Sequence, residues 1–225
     1  MKQYLIYYYY YWQFRYYIWK DRNYYKKMYP NSKNIVFYDA MRWALDTHHG
    51  VRQKYDKKFP YFFHLNEVSK VAIMFKHLVE YNPITFLIAL FHDVIEDARL
   101  TYNDVKDAWG QEVADGVFAC TELRGKNRRE RHGPFYFKTL KEHRLGRFVK
   151  ICDVIANMER GLKTGSTMLD KYVKEYPHFR EELYTEEFKP MFTYIEEVII
   201  AHYLNKQQKA KQAKEVHNCN HENHK

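Results

Sequence analysis

From Ile35 onward the apolar residues recur at intervals of three and four. Ile35, Val36, Phe37, Ala40, Met41, Ala44 and Leu45 share one face of a helix predicted to end near His48-His49-Gly50. A polar loop through Lys54, Asp56, Lys57 and Lys58 leads to Pro60. A second helix, from about His64 to Tyr81, presents Val68, Val71, Ala72, Phe75 and Leu78 to a core. Pro83 opens a third, Ile84 to about Asp97, whose first three turns are nearly all apolar and which is therefore predicted to be central. Thr101 followed by Asp104 reads as the capping box of a short helix ending at Gly110. Helices are also predicted at Gln111 to Leu123 and Pro134 to His143, on either side of a hydrophilic loop, 124–131. Arg147 to Arg160 places Phe148, Ile151, Cys152, Ile155 and Met158 at helical spacing, and shorter helices after Gly165 lead to a long amphipathic one from Glu186 to about Leu204. Alternating patterns are sparse, and 8 Gly with 6 Pro are too few for a turn-rich sandwich or barrel. The pattern predicts a single all-α domain.

Charge refines this outline. The formal net charge of +9 resembles a nucleic-acid signal until it is divided along the chain. Residues 1–34 carry a net +6 and residues 205–225 a net +3, which leaves 35–204 neutral. The expected organisation is an aromatic and basic N-terminal extension (1–34), a globular domain (35–204) and a polar C-terminal tail (205–225). A neutral body argues against duplex DNA, whose binding requires many phosphate contacts. The first 29 residues hold 11 of the 22 tyrosines, interleaved with Arg15, Lys20, Arg22, Lys26 and Lys27. Such a segment suits either a stacking platform for single strands or a headgroup-level membrane contact, or it is a biased extension that Met28 could bypass as an alternative start. The uncharged run Gln3 to Phe14 is too short to span a bilayer. Three cysteines without CxxC spacing suggest neither a disulfide framework nor a zinc ribbon, and point to a cytoplasmic setting.

The segment Phe91-His92-Asp93-Val94-Ile95-Glu96-Asp97 puts an imidazole and three carboxylates at the end of an apolar helix. Their burial is costly unless a divalent cation offsets it. His48 ends another apolar helix, and Asp153 lies inside a third, so three helices direct two imidazoles and two carboxylates inward. Glu96 follows His92 by four residues, on the same helical face, where it can accept a proton from a water.

This arrangement resembles the HD-domain metal-dependent phosphohydrolases. Ala44-x-x-x-His48-x-Gly50, Pro60-Tyr61-x-x-His64, the run His92 to Asp97, and Lys150-Ile151-x-Asp153-x-x-x-Asn157-Met158 are similar, in the same order, to the hydrolase domain of the stringent-response alarmone enzymes and their small relatives, over about residues 35 to 200. The resemblance implies an HD-domain helical bundle that removes pyrophosphate from the 3′ position of (p)ppGpp. It implies one divalent metal, Mn2+ foremost, with Fe, Zn or Mg as alternatives, held by His48, His92, Asp93 and Asp153. Glu96 and Asp97 match the acidic pair that activates the attacking water, and Asn157 matches a position near the nucleoside. Arg52, Lys54, Lys126 and Arg128 are candidate phosphate-binding cations. His64 is expected to orient the ligands or cap its helix without being a ligand itself, and His49 to be exposed.

The chain departs from the family pattern where an Arg-Lys pair is usual: Gln53 precedes Lys54, and Arg52 stands one place early. The alternatives are an HD phosphohydrolase for a deoxynucleotide, a cyclic nucleotide or a phosphorylated dinucleotide cofactor, and a non-catalytic nucleic-acid or membrane-binding protein acting through its N-terminus. The expected partner is a small nucleotide, with oligomer formation open.

Overall fold

The computed structural model describes residues 2–28, 35–80, 82–122, 125–126 and 128–222, and their side chains except those of Lys2, Tyr4, Tyr25, Ile35, Arg128, Arg129 and residues 213–222. It is a helical bundle with one short hairpin. The helices are α1 (Lys2–Met28), α2 (Ile35–Gly50), α3 (Phe62–Met74), α4 (Ile84–Phe91), α5 (Val94–Asp97), α6 (Tyr102–Trp109), α7 (Gln111–Cys120), α8 (Arg128–Arg131), α9 (Pro134–Glu142), α10 (Arg144–Thr164), α11 (Met168–Leu183) and α12 (Lys189–Glu222). Strands β1 (Lys54–Tyr55) and β2 (Phe59–Pro60) pair antiparallel between α2 and α3, with Tyr55 opposite Phe59. Two compact units are resolved, 1–156 and 157–225, and α10 runs from one into the other.

In the first unit, α4 is the central element that its apolar run predicts: Ile88, Ala89, Leu90 and Phe91 are all buried. A Cβ at Gly116 of α7 would stand 2.2 Å from Ile88 Cδ1. Only glycine allows the two helices to approach this closely, and overpacking by one methyl costs about 1–3 kcal/mol. Thr101 and Asp104 form the expected reciprocal capping box at the start of α6. In the second unit, α11 and α12 bury Leu169, Leu183, Phe188, Phe192 and Ile195, and His202 and Lys206 of α12 bind Asp170 of α11 at 2.8 and 2.5 Å.

Several boundaries differ from expectation. The helix expected to reach Tyr81 stops at Met74. A 3₁₀ turn, Lys76–Val79, and a left-handed Glu80 follow it, ahead of Pro83, whose ring disfavours helix in the residue before it. The helix expected over Ile84 to Asp97 breaks at His92-Asp93, where Asp93 adopts φ −104° and ψ 1°. Helix α10 begins three residues early because His143 Nδ1 accepts the Gly146 N–H at 3.0 Å and caps the first turn. Finally, the backbone of α12 stays helical through the polar stretch to Glu222. Leu123, the expected end of the helix that stops at Cys120, and Arg124 and Asn127 of the hydrophilic loop lie outside the described residues.

The N-terminal helix packs on the first unit. Tyr7, Tyr11 and Ile18 are buried against it. Tyr11 donates a hydrogen bond to Asp46 at 3.0 Å, and Arg22 clamps Asp39 through two bonds of 2.8 and 3.1 Å. Phe14 lies edge-on to Phe62 and Phe63. His49 is half-buried, not exposed as expected: Tyr11 stacks on its ring at 3.5 Å, and the Tyr7 hydroxyl lies 3.0 Å from its Nδ1.

Candidate functional site

The break between α4 and α5 carries the chemistry. His92 is fully buried, and its Nδ1 lies 2.9 Å from the Ala89 carbonyl oxygen. An oxygen acceptor there places a proton on Nδ1 and turns Nε2 toward the pocket. His92 Nε2 is 2.9 Å from Asp93 Oδ2 and 3.8 Å from Asp153 Oδ1, but outside hydrogen-bond geometry. Two facing lone pairs at such separations repel, so a cation, either a proton or a metal ion, is required between them.

His64 completes the group. Its Nε2 is 3.1 Å from Asp153 Oδ1 and 3.5 Å from Asp93 Oδ2. One ligand atom from each of His64, His92 and Asp153 lies within 4.8 Å of the other two, and all three residues are buried. The helical periods explain the convergence: His64 is on the inner face of α3, one turn before Val68, and Asp153 is on the inner face of α10 between Phe148 and Ile155. The structure thus brings together His92, Asp93 and Asp153 of the expected set and adds His64, which sequence reasoning assigned to orientation.

His48 is only 1% exposed, and both of its ring nitrogens are buried without a hydrogen-bond partner. Its ring stacks on Tyr61 with centroids 4.7 Å apart, and the Tyr61 hydroxyl donates to Asp93 Oδ2 at 2.6 Å. Burial lowers the His48 pKa to about 4, against the pull of Asp93 and with the push of His92 and His64, so the ring stays neutral. Its neighbour in the pocket behaves oppositely. Burial also disfavours charge on His64, but hydrogen bonds to Asp153 and Asp93 outweigh it and raise its pKa to about 9. His92 is raised for a similar reason. Both carboxylates are held below the usual range in spite of their burial, Asp93 by His92 and His64, and Asp153 by Lys150 and the histidines. Lys150 is itself buried, 3.0 Å from Asp153 Oδ2.

This donor set fits a divalent metal. Neutral imidazole nitrogens without partners, set beside ionised carboxylates, are the ligand chemistry of Mn, Fe, Zn or Mg sites. A metal bound there would take the place of protons on these imidazoles.

Two more carboxylates border the group. Glu96 is exposed over much of its surface, but one of its oxygens accepts the Glu122 N–H at 3.2 Å. Burial of that end raises its pKa to about 7, Lys150 acting against the rise and Glu122 and Asp93 adding to it. Asp97 is raised as well, by burial and by Asp93, while hydrogen bonds oppose the shift. One of these comes from Gln53, whose Nε2 donates to Asp97 Oδ2 at 3.0 Å. A cavity of about 500 Å³ opens beside Glu96 and is lined further by Ile95, Thr101, Thr121, Glu122 and Arg131. Glu122 is held by Arg131 at 3.3 Å and by His132 at 2.8 Å.

The expected phosphate-binding residues are dispersed. Arg52 is exposed in the turn after α2 with φ 57°, and Lys54 is exposed on β1 with its ammonium 5.7 Å from the Tyr7 ring centroid. Lys126 is exposed ahead of α8. The side chain of Arg128 is outside the described residues. Asn157 follows Asp153 by one turn of α10 and belongs to the second unit. Tyr61, Lys150 and Glu122 were not singled out as site residues from sequence. Lys150 had a readable signal, since a lysine three residues before a buried aspartate shares its helical face.

No protein-family model matches the chain. It is 25% identical over 130 residues to the guanosine-3′,5′-bis(diphosphate) 3′-pyrophosphohydrolase MESH1 of Drosophila melanogaster, covering 58% of this chain and 70% of that protein. It is 32% identical over 121 residues to a probable enzyme of the same description from Mycoplasma genitalium, covering 52% of this chain but only 15% of the relative. A solved structure of a metazoan SpoT ortholog that hydrolyses ppGpp superposes with a TM-score of 0.56 at 22% identity, over 74% of this chain and 94% of that one. In fold and in sequence, the chain is similar to the HD-type ppGpp hydrolases.

Proposed function

We propose that this protein is a metal-dependent 3′-pyrophosphohydrolase of (p)ppGpp, yielding pyrophosphate and GDP or GTP. The observation that carries the reading is the buried His64–His92–Asp153 group, joined by Asp93 and His48, with two carboxylates of raised pKa beside it. One Mn2+, held by His92, Asp93, Asp153 and His48 with His64 alongside or as a further ligand, would supply an acidified water and neutralise charge developing on the phosphorus oxygens.

The chain's own groups do the rest. Glu96, with a pKa near neutrality, takes the proton of the attacking water. Asp97, held by Gln53, fixes the water's orientation. Tyr61 and Lys150 lock the rotamers of Asp93 and Asp153. The cavity beside Glu96 has room for the departing pyrophosphate, and Arg52, Lys54, Lys126 and Arg128 supply cations for the substrate's phosphates, with Asn157 near the nucleoside.

A second reading keeps this chemistry and changes the nucleotide. Gln53, at a place where the family usually has a cation, turns its amide to Asp97 and offers phosphate no charge. A nucleotide panel with Mn2+-loaded protein separates the two. Release of pyrophosphate from ppGpp by the wild type, with hydrolysis and bound metal both lost in Asp93→Ala, is the expected result. The reading fails if ppGpp is not turned over, or if Asp93→Ala keeps both metal and rate.

A further inference from the structure

The N-terminal helix has two apolar faces, and the fold uses one. Tyr7, Tyr11, Phe14 and Ile18 recur at 4, 3 and 4 and face the bundle. Leu5, Tyr9, Trp12, Tyr16 and Trp19 recur at 4, 3, 4 and 3, about 150° around the helix from the first set. This outer stripe stands in water: Trp12 and Trp19 are each 59% exposed, and Tyr9 is 63% exposed. It runs for about 21 Å at the rise of an α-helix. Isolated exposed aromatics need no explanation, but four in register with a leucine on one helix do.

We propose that the outer face of α1 docks the protein on an anionic lipid surface, lying in the interface without crossing it. The charge on this face selects the occupant. Arg15 and Arg22 are drawn toward the body by Asp46 and Asp39. Lys20, Lys26 and Lys27 are exposed at the C-terminal end of the stripe, and among the described residues none of them forms an ion pair. At the other end, Leu5, Ile6 and Tyr9 continue into a mostly apolar recess of about 430 Å³ edged by Lys58. The C-terminal end of the stripe is therefore cationic, Lys58 adds a cation at the other end, and the one acid of α1, Asp21, lies off its line.

A second copy fits this surface poorly. Pairing two α1 helices in parallel would set lysine against lysine, and pairing them antiparallel would set the lysines against a segment with no acid to receive them. Nucleic acid needs a groove that tracks its backbone, whereas the stripe lies on the exposed face of a single helix. Tyrosine and tryptophan rings with lysines beside them are what the headgroup region takes up. No described helix is long and apolar enough to cross a membrane, consistent with a helix that lies on one.

The test uses the full chain with vesicles of phosphatidylcholine and phosphatidylserine, and of phosphatidylcholine alone. The protein is expected to float with the anionic vesicles, and brominated lipid is expected to quench its tryptophan emission. Replacing Lys20, Lys26 and Lys27 with Gln removes three surface cations and should weaken partition roughly 100-fold. The pair Trp12→Ser and Trp19→Ser should abolish both binding and quenching. Unfolding midpoints and metal content of these variants are expected to match the wild type, which separates a docking role from a structural one. The proposal is overturned if the protein does not prefer anionic over neutral vesicles. Dimers that the tryptophan substitutions dissolve in a lipid-indifferent protein, or single-stranded nucleic acid bound in place of vesicles, overturn it equally.

Discussion

The buried histidine–aspartate pocket and the outer face of α1 depart from ordinary folding chemistry in opposite directions. In the pocket, imidazoles and carboxylates are buried, and opposed charges, Lys150 and the Tyr61 hydroxyl balance most of the cost. On α1, large rings that would be stabilised by burial are left in water. Each departure is a feature that folding alone does not require. A buried polar group left without a partner costs about 1–3 kcal/mol, so the bare nitrogens of His48 point to a ligand held inside. Exposed aromatics cost the fold little, so their regular spacing points to a partner outside.

The comparison breaks most visibly at Asp93. Loss of the metal and of several kcal/mol of transition-state stabilisation should lower hydrolysis by roughly 10³-fold, while vesicle binding stays unchanged. Next comes Glu96→Gln, which removes the base and should lower kcat by about 10²-fold or more. Its pH signature has a definite sign. Only the ionised carboxylate accepts a proton, so wild-type kcat/KM should rise with pH and level off at or below about 7, because bound metal draws down the value set by burial. Glu96→Gln should lose that limb.

The two faces of α1 are separable by stability. Tyr7→Ala, on the inner face, should cost about 3 kcal/mol in urea unfolding, whereas Trp12→Ala, on the outer face, should shift stability by less than about 0.5 kcal/mol. Equal effects of the two substitutions would mean that α1 has no separate inner and outer face. The smallest expected effect is at Gln53. Gln53→Ala removes one hydrogen bond to Asp97, worth about 1 kcal/mol, so kcat should fall about fivefold. The Glu96 limb of the pH profile should stay in place in Gln53→Ala, because the bond that is lost is made to Asp97.

Local pattern and tertiary packing divided the information between them. Spacing of three and four along α2, α4 and α10, the Thr101–Asp104 cap and the all-α class were legible because helical period and capping are near-neighbour effects. His92-Asp93 and Asp153 could be singled out because acids in apolar helices need partners. The break between α4 and α5 was not legible, since it depends on a ring bonding back to Ala89 and a pocket drawing Asp93 inward. Nor was the place of His64, which is decided by the 3.1 Å meeting of α3 with α10 across 89 residues of sequence. The N-terminal segment is the clearest case. Its composition announced aromatic and basic residues, but only packing against α2 and the hairpin decided which rings are core and which remain in water, because a helix with two apolar faces carries no internal sign of the face its own fold will cover.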